Sequence, residues 1–302
     1  MISEILLEYL NNSQIEYLLG QKMSDYTTFK IGGTADCMCF PKTQDEIKGL
    51  LRFCNQNNVP YFCLGNGSNL LVSDEGVDGV VISLKYFDKI ELKSPLEITC
   101  GVGIKLSKLC TFALENSLSG LEFAWGIPGT VGGAIYMNAG AYNGEIKNVL
   151  TECTYIDGEG NVIQADVSSL ELGYRKSTFQ NSNSIIISAK FKLVLEDKNI
   201  IKAQMDDLIL RRKTKQPLEY PSAGSTFKRP SGYYASALIE ECGLKGVSVG
   251  GAMVSEKHSG FVINTGNATC SDVLLLVQKI KEEVFLQKSV NLEMEVKYIG
   301  RK

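Results

Sequence analysis

The sequence is poor in the residues that ordinary hydrolytic and metal chemistry requires. It has one histidine, His258, in 302 residues, so a Ser–His–Asp triad or a His-ligated metal has a single candidate, which excludes most such mechanisms. Its setting, EKHSG (256–260), reads as a loop. The nine cysteines include no Cys-x-x-Cys pair, and no histidine neighbours the closest two, Cys37 and Cys39. In a chain of this size that favours reduced, mostly buried thiols of a cytoplasmic protein over a disulfide framework or zinc site. No apolar run approaches the roughly 20 residues of a membrane span. The N-terminal stretch carries Glu4 and Glu8 where a secretory signal needs positive charge, and reads instead as an amphipathic helix of the mature chain. Net charge is −3, with Lys and Arg dispersed, so no nucleic-acid footprint is present. No long exposed apolar repeat asks for an obligate partner, and a monomer is expected.

What remains is a globular composition, with order in three regions. In the first, TQDEIKGLLRFCNQ opens with Thr43 and Glu46 in capping-box spacing, and Ile47, Leu50, Leu51 and Cys54 share a helical face. An apolar run (59–65) and the turn GNGSNLL (65–71) follow. In the second, LEITCG (96–101) precedes a helix with Leu106, Leu109, Cys110 and Ala113 on one face, which Gly120 is expected to stop. Strand patterns recur at 150–157 and 184–195. In the third, a basic helix runs to RRKTKQP (211–217), a helix over 234–242 ends at Gly243, and a last helix is expected to be capped by Ser271. The final NLEMEVKYIG predicts a clean strand, with Leu292, Met294, Val296 and Tyr298 on one face and Glu293, Glu295 and Lys297 on the other.

Bare backbone is the chain's most distinctive feature. GIPGTVGGAIYMNAGAYNGE (126–145) holds six glycines and no lysine or arginine. It has no Gly-Lys-Ser/Thr ending for a P-loop, and no G-x-G-x-x-G joins strand to helix in a Rossmann pattern. Successive N–H groups in such turns form a concave donor array that holds a diphosphate without lysine. Packing turns are the alternative at this point. The array reading nominates Gly65, Asn66, Gly67, Ser68 and Asn69 from the first segment, and Gly129, Thr130, Gly133, Asn138, Ala139 and Gly140 from the second.

An ordered set of motifs narrows this further. TTFKIGGTAD (27–36), GNGSNLLVSDEG (65–76), GIPGTVGGAIYMNAGAY (126–142), GYRKSTF (173–179), AGSTFKRP (223–230), GLKG (243–246) and LEMEVKYIG (292–300) resemble, in sequence, those of the UDP-N-acetylenolpyruvoylglucosamine reductase (MurB) family of peptidoglycan synthesis. The resemblance implies an α+β chain: a two-subdomain FAD-binding module of the vanillyl-alcohol-oxidase/PCMH type, at 1–84 and 85–198, and a C-terminal α+β substrate-binding domain at 199–302. The short interval between Arg175 and Ser225 is similar to the compact type, which lacks an inserted loop. Two residues depart from the family pattern: Arg229 stands where asparagine is common before the proline, and Lys297 where arginine is usual.

The same resemblance implies the chemistry. NADPH reduces FAD, and hydride then adds to the vinyl carbon of a UDP-sugar enolpyruvyl ether, leaving negative charge in the substrate carboxyl until a proton reaches the α-carbon. Arg175 matches the residue that holds the carboxylate, Ser225 the proton donor and Glu295 the group that stabilises the charge while itself protonated. Lys228 and the basic run are candidate neighbours for Ser225, Lys215 for the nucleotide diphosphate, and Tyr174 and Tyr142 for the ligand lining. Each has a plainer reading. Ser225 would be a turn hydroxyl bonded to its own backbone, Arg175 a surface charge, and residues 211–215 a solvated helix end. Alternation alone leaves Glu293 and Glu295 equivalent. A flavoprotein oxidase and a non-enzymatic flavin-binding module are the rival functions.

Overall fold

The computed structural model describes residues 4–301. The chain forms two compact units: one of the residues up to Leu19, Cys37–Asn66 and Gly79–Arg212, the other of Gly20–Asp36, Gly67–Asp78 and the stretch from Lys213 onward.

The first unit contains α1 (Glu4–Ser13), which buries Leu6 and Leu10 as its amphipathic pattern requires. In α2 (Gln44–Gln56), Thr43 accepts the Glu46 amide, while the Glu46 carboxylate accepts from the Lys42 amide, one residue before the cap. Its buried stripe, Ile47, Leu50, Leu51 and Cys54, is the one read from the sequence. A five-stranded antiparallel sheet follows the order Val162–Asp166, Leu150–Ile156, Ile185–Lys192, Glu97–Gly101, Ile90–Ser94. Tyr61–Leu64 pairs in parallel with Val77–Ser83 and delivers the chain into the first glycine loop. The helix α3 (Leu106–Glu115) ends before Gly120, because Asn116 already closes it through Phe112 and Ala113 and Ser117 turns left-handed at φ +57°. Then come α4 (Val131–Tyr136) and α5 (Lys198–Lys215).

The second unit packs α6 (Ala235–Glu241) and α7 (Cys270–Lys288) with an antiparallel meander of Ser248–Val249, Ala252–Val254 and Val262–Asn264. Leu238, Ile239, Val262, Leu276 and Ile280 lie in its core. Thr269 caps α7, in a capping box with Asp272; Ser271 sits inside the first turn, where its N–H and hydroxyl donate to Asp74. The terminal strand is also shorter than its pattern suggests. Met294 bridges Phe227 antiparallel, and Lys297–Ile299 then pairs in parallel with Leu70–Val72. The change of partner breaks the alternation, so Glu295 and Val296 are both buried in succession.

All nine cysteines are free thiols; seven are buried, Cys242 is half-buried and Cys63 is exposed. No helix among the described residues is long and apolar enough to cross a membrane. His258 is a packing residue: its Nδ1 accepts from the Gly260 amide at 3.1 Å, and its ring meets Phe261 edge-on. Burial holds its pKa below the ordinary value of about 6.5. A depressed histidine pKa gives stability that is present above the unfolded value and lost as pH falls through the folded one. Urea midpoints measured from about pH 7.5 to about pH 5 should therefore fall further for the native protein than for His258→Asn. Parallel decline of the two would show that the ring plays no part.

Candidate functional site

The first glycine loop is held open by what surrounds it. A Cβ on Gly65 would stand 2.6 Å from Thr130 Oγ1, so a side chain there would turn away the hydroxyl that caps the Gly133 amide. Asn66 reaches the same segment, donating to the Pro128 carbonyl at 3.4 Å. Gly67 sits at φ +60°, with a Cβ position 2.2 Å from the Tyr26 carbonyl. Its own carbonyl accepts from Thr28, which is how the TTFK motif braces the loop. The N–H groups of residues 65–68 donate to no atom among the described residues. Folded chains leave few main-chain donors unpaired, so four in succession form a place for an acceptor-rich ligand.

The second segment is different. Its N–H groups at 129, 131–134 and 137–139 are all satisfied, those of Val131 and Gly132 by the Ile104 and Val102 carbonyls and that of Gly133 by the Thr130 hydroxyl that caps α4. It is a scaffold more than a donor array, which corrects the expectation that both segments offer amides. Asn138 shows this most directly. It is 0% exposed, donates through Nδ2 to Glu145 Oε2 (2.6 Å) and the Gly173 carbonyl (2.9 Å), and accepts from the Lys147 amide (3.0 Å). The side chain expected to meet the cofactor instead ties the loop to the GYRKS turn.

That turn presents Arg175. Gly173 and Lys176 exchange backbone hydrogen bonds around Tyr174 and Arg175. Arg175 lies at φ +53°, a position that glycine or asparagine would occupy without strain. Gln180 holds its carbonyl at 2.9 Å, and its guanidinium donates to the Gly140 carbonyl at 3.3 Å and lies 5.2 Å from the Tyr174 ring centroid. Tyr142 shows similar strain: with Asn143 it makes the left-handed turn between Gly140–Ala141 and Gly144–Glu145.

In the second unit, backbone pairing brings the serine and glutamate motifs together. The Glu295 amide donates to the Thr226 carbonyl at 2.8 Å and the Lys228 amide to the Glu293 carbonyl at 2.9 Å. Asn69 Nδ2 donates to the Glu295 carbonyl, and the Lys297 amide to the Asn69 carbonyl, which joins the end of the first glycine loop to the same edge. Thr226 is buried and structural, its hydroxyl accepting from Val262. Ser225 is exposed and its hydroxyl makes no hydrogen bond among the described residues, so the turn-hydroxyl reading fails. Burial separates the two glutamates: Glu295 is 8% exposed, whereas Glu293 is at the surface and paired with Lys228. Lys228 is therefore already neutralised by Glu293 and is not an unengaged charge beside Ser225. Lys215 is exposed at the end of α5.

The basic run is not uniformly solvated. Arg211 is exposed and paired with Asp207, but Arg212 is 8% exposed and continues the buried stripe of Ile201, Met205 and Leu208. Its Nε has no hydrogen-bond partner among the described residues. Its Cζ lies 5.9 Å from the Tyr142 ring centroid, and burial lowers its pKa. A buried guanidinium without counter-charge is unfavourable by about 3–5 kcal/mol. The spacing 201, 205, 208, 212 was the available signal for this residue.

Comparison with known proteins agrees with this arrangement. Residues 35–166 match the model of an FAD binding domain, and 216–299 that of the UDP-N-acetylenolpyruvoylglucosamine reductase C-terminal domain. The chain is 47% identical over 296 residues to the UDP-N-acetylenolpyruvoylglucosamine reductase of Clostridium novyi, covering 96% of each. It is 47% identical to that of Listeria innocua, covering 96% of this chain and 99% of the relative. The crystal structure of the reductase from Thermus caldophilus superposes with a TM-score of 0.81 at 38% identity, over 94% of this chain and 98% of that one. Berberine bridge enzyme from Eschscholzia californica shares the fold alone, with a TM-score of 0.51 at 14% identity over 64% of this chain and 44% of its own.

The hydrogen-bond inventory separates structural from chemical residues. Asn138→Ala removes three buried hydrogen bonds and should lower unfolding stability by about 2–4 kcal/mol, whereas Ser225→Ala should change it by less than about 0.5 kcal/mol. Denaturant titration checks both; equal losses would contradict the assignment.

Proposed function

The chain belongs to the UDP-N-acetylenolpyruvoylglucosamine reductase family, and from that premise we propose that it reduces its substrate at the expense of NADPH, with Ser225 as proton donor. It is an oxidoreductase that uses FAD and reduces the enolpyruvyl ether of UDP-N-acetylglucosamine in peptidoglycan synthesis. Its fold is α+β, a PCMH-type FAD-binding module with a C-terminal substrate-binding domain. We place the module's subdomain boundary near residue 84 and its end near 198, and read the protein as a cytoplasmic monomer.

The residues present fit the cofactor. Four amides at 65–68 without a partner among the described residues, on a loop where Gly67 has no room for a Cβ, suit an acceptor-rich diphosphate. Ser68, Asn69, Gly129, Thr130, Gly133, Ala139 and Gly140 complete the proposed cofactor contacts, while Asn138 supports them from behind. FAD, when bound, supplies hydride carriage from a nicotinamide to the vinyl carbon.

The chain's own residues supply the rest. Arg175, aimed by a strained turn that Asn138 anchors, takes the substrate carboxylate, where its planar fork pairs bidentately without losing its proton. Ser225 gives its proton to the α-carbon and, being exposed, regains one from solvent. Glu295, buried and bonded through its amide to the Thr226 carbonyl next to Ser225, stabilises the charge that forms in the carboxyl. Lys215 and Tyr174 are proposed for the nucleotide half of the substrate, and Lys228 there only through its pair with Glu293. The observation that carries the reading is the exposed Ser225 hydroxyl, without a hydrogen bond among the described residues, one residue from the Thr226–Glu295 backbone pair.

An anaerobic two-step experiment tests it. NADPH should bleach the yellow protein, and the enolpyruvyl nucleotide should restore the colour; Ser225→Ala and Glu295→Gln should bleach normally but recolour about 10²–10⁴-fold more slowly. Recolouring at the native rate in Ser225→Ala would remove the serine from the mechanism. Bleaching that only oxygen reverses would favour an oxidase.

A further inference from the structure

The second glycine segment contains no basic residue, yet the fold brings one to it. We propose that Arg212 is a pre-formed counter-charge for an anionic group of the bound flavin cofactor, either its diphosphate or the part of the ring that gains negative charge on reduction. This deepens the functional reading above and rests on it.

Three observations carry the inference. Arg212 occupies the fourth position of a buried stripe whose other members are Ile201, Met205 and Leu208, where packing alone would favour an apolar residue. Its Nε is buried and unpartnered, and no carboxylate among the described residues pairs with it. Its surroundings are also shaped to receive a guanidinium. A Cβ on Gly126, the first residue of the segment, would stand 2.7 Å from Ile209 Cδ1 and 3.3 Å from both Cδ and Nε of Arg212, so the segment packs directly on this part of the helix, and the Tyr142 ring is set beside Cζ by a left-handed backbone at φ +50°. Gly126 and Tyr142 both belong to the stretch that matches the FAD-binding model, 35–166, and not to the C-terminal model that begins at 216. That location favours the cofactor over the sugar nucleotide as the source of negative charge.

The test uses flavin-free protein reconstituted with FAD or riboflavin, together with the midpoint potential of the reconstituted holoenzyme. Arg212→Met should weaken FAD about tenfold or more, or lower the two-electron midpoint by about 30 mV for each tenfold loss of affinity for the reduced form. Arg212→Lys should retain most of either property. Weakened FAD with unchanged riboflavin affinity identifies the diphosphate; a lowered potential identifies the ring. The flavin-free Arg212→Met protein should be at least as resistant to denaturant as the native one, since it no longer buries an unpaired charge. FAD affinity and potential both within about twofold of native, on the free-energy scale, would overturn the proposal even if KM for NADPH or the nucleotide changed. Native protein that takes up no FAD would instead overturn the functional reading along with it.

Discussion

The arrangement depends on a row of main-chain donors with nothing to donate to. Residues 65–68 keep four N–H groups unpaired because the loop is fixed from outside: Gly65 is pressed against Thr130, and Gly67 against the Tyr26 carbonyl. The Gly67 contact is with main chain and does not tolerate a side chain, and the Gly65 contact admits one only if Thr130 turns its hydroxyl away. The second glycine segment serves this row by consuming its own hydrogen bonds. One glycine loop binds and the other shapes.

The same separation runs through the proposed reaction centre. Thr226 spends its hydroxyl on the fold so that Ser225 need not. Glu293 pairs with Lys228 at the surface, whereas Glu295 is withdrawn from water. Arg211 is an ordinary i to i+4 surface pair with Asp207, while Arg212 is buried with an orphan nitrogen. In each neighbouring pair, the residue that stability alone does not explain is the one available for chemistry. Arg175 and Tyr142, both held with left-handed backbones, extend the pattern from side chains to main chain.

Much of this was legible in the sequence. The stripe of α2, the thiol state of the cysteines, the loop setting of His258 and the end of α6 at Gly243 follow from spacing and composition. The family followed from the order of its motifs. What periodicity missed were decisions made by distant partners. Thr269, not Ser271, caps α7, with Asp74 bonding Ser271 from the far side of the sequence. The end of the chain changes pairing partner between Met294 and Lys297, so no alternation rule could rank its glutamates. Arg212 looked like part of a solvated helix end because its charge outweighed its place in the stripe.

The most direct measurement is the FAD affinity of a Gly67→Ala protein, read by titrating the flavin-free form and paired with a denaturant midpoint to confirm that the fold is kept. A methyl carbon 2.2 Å from the Tyr26 carbonyl oxygen, on a residue at φ +60°, displaces the amide row, and the account predicts at least about tenfold weaker FAD, roughly 1.4 kcal/mol or more. A folded variant that binds FAD as tightly as the native protein would contradict it.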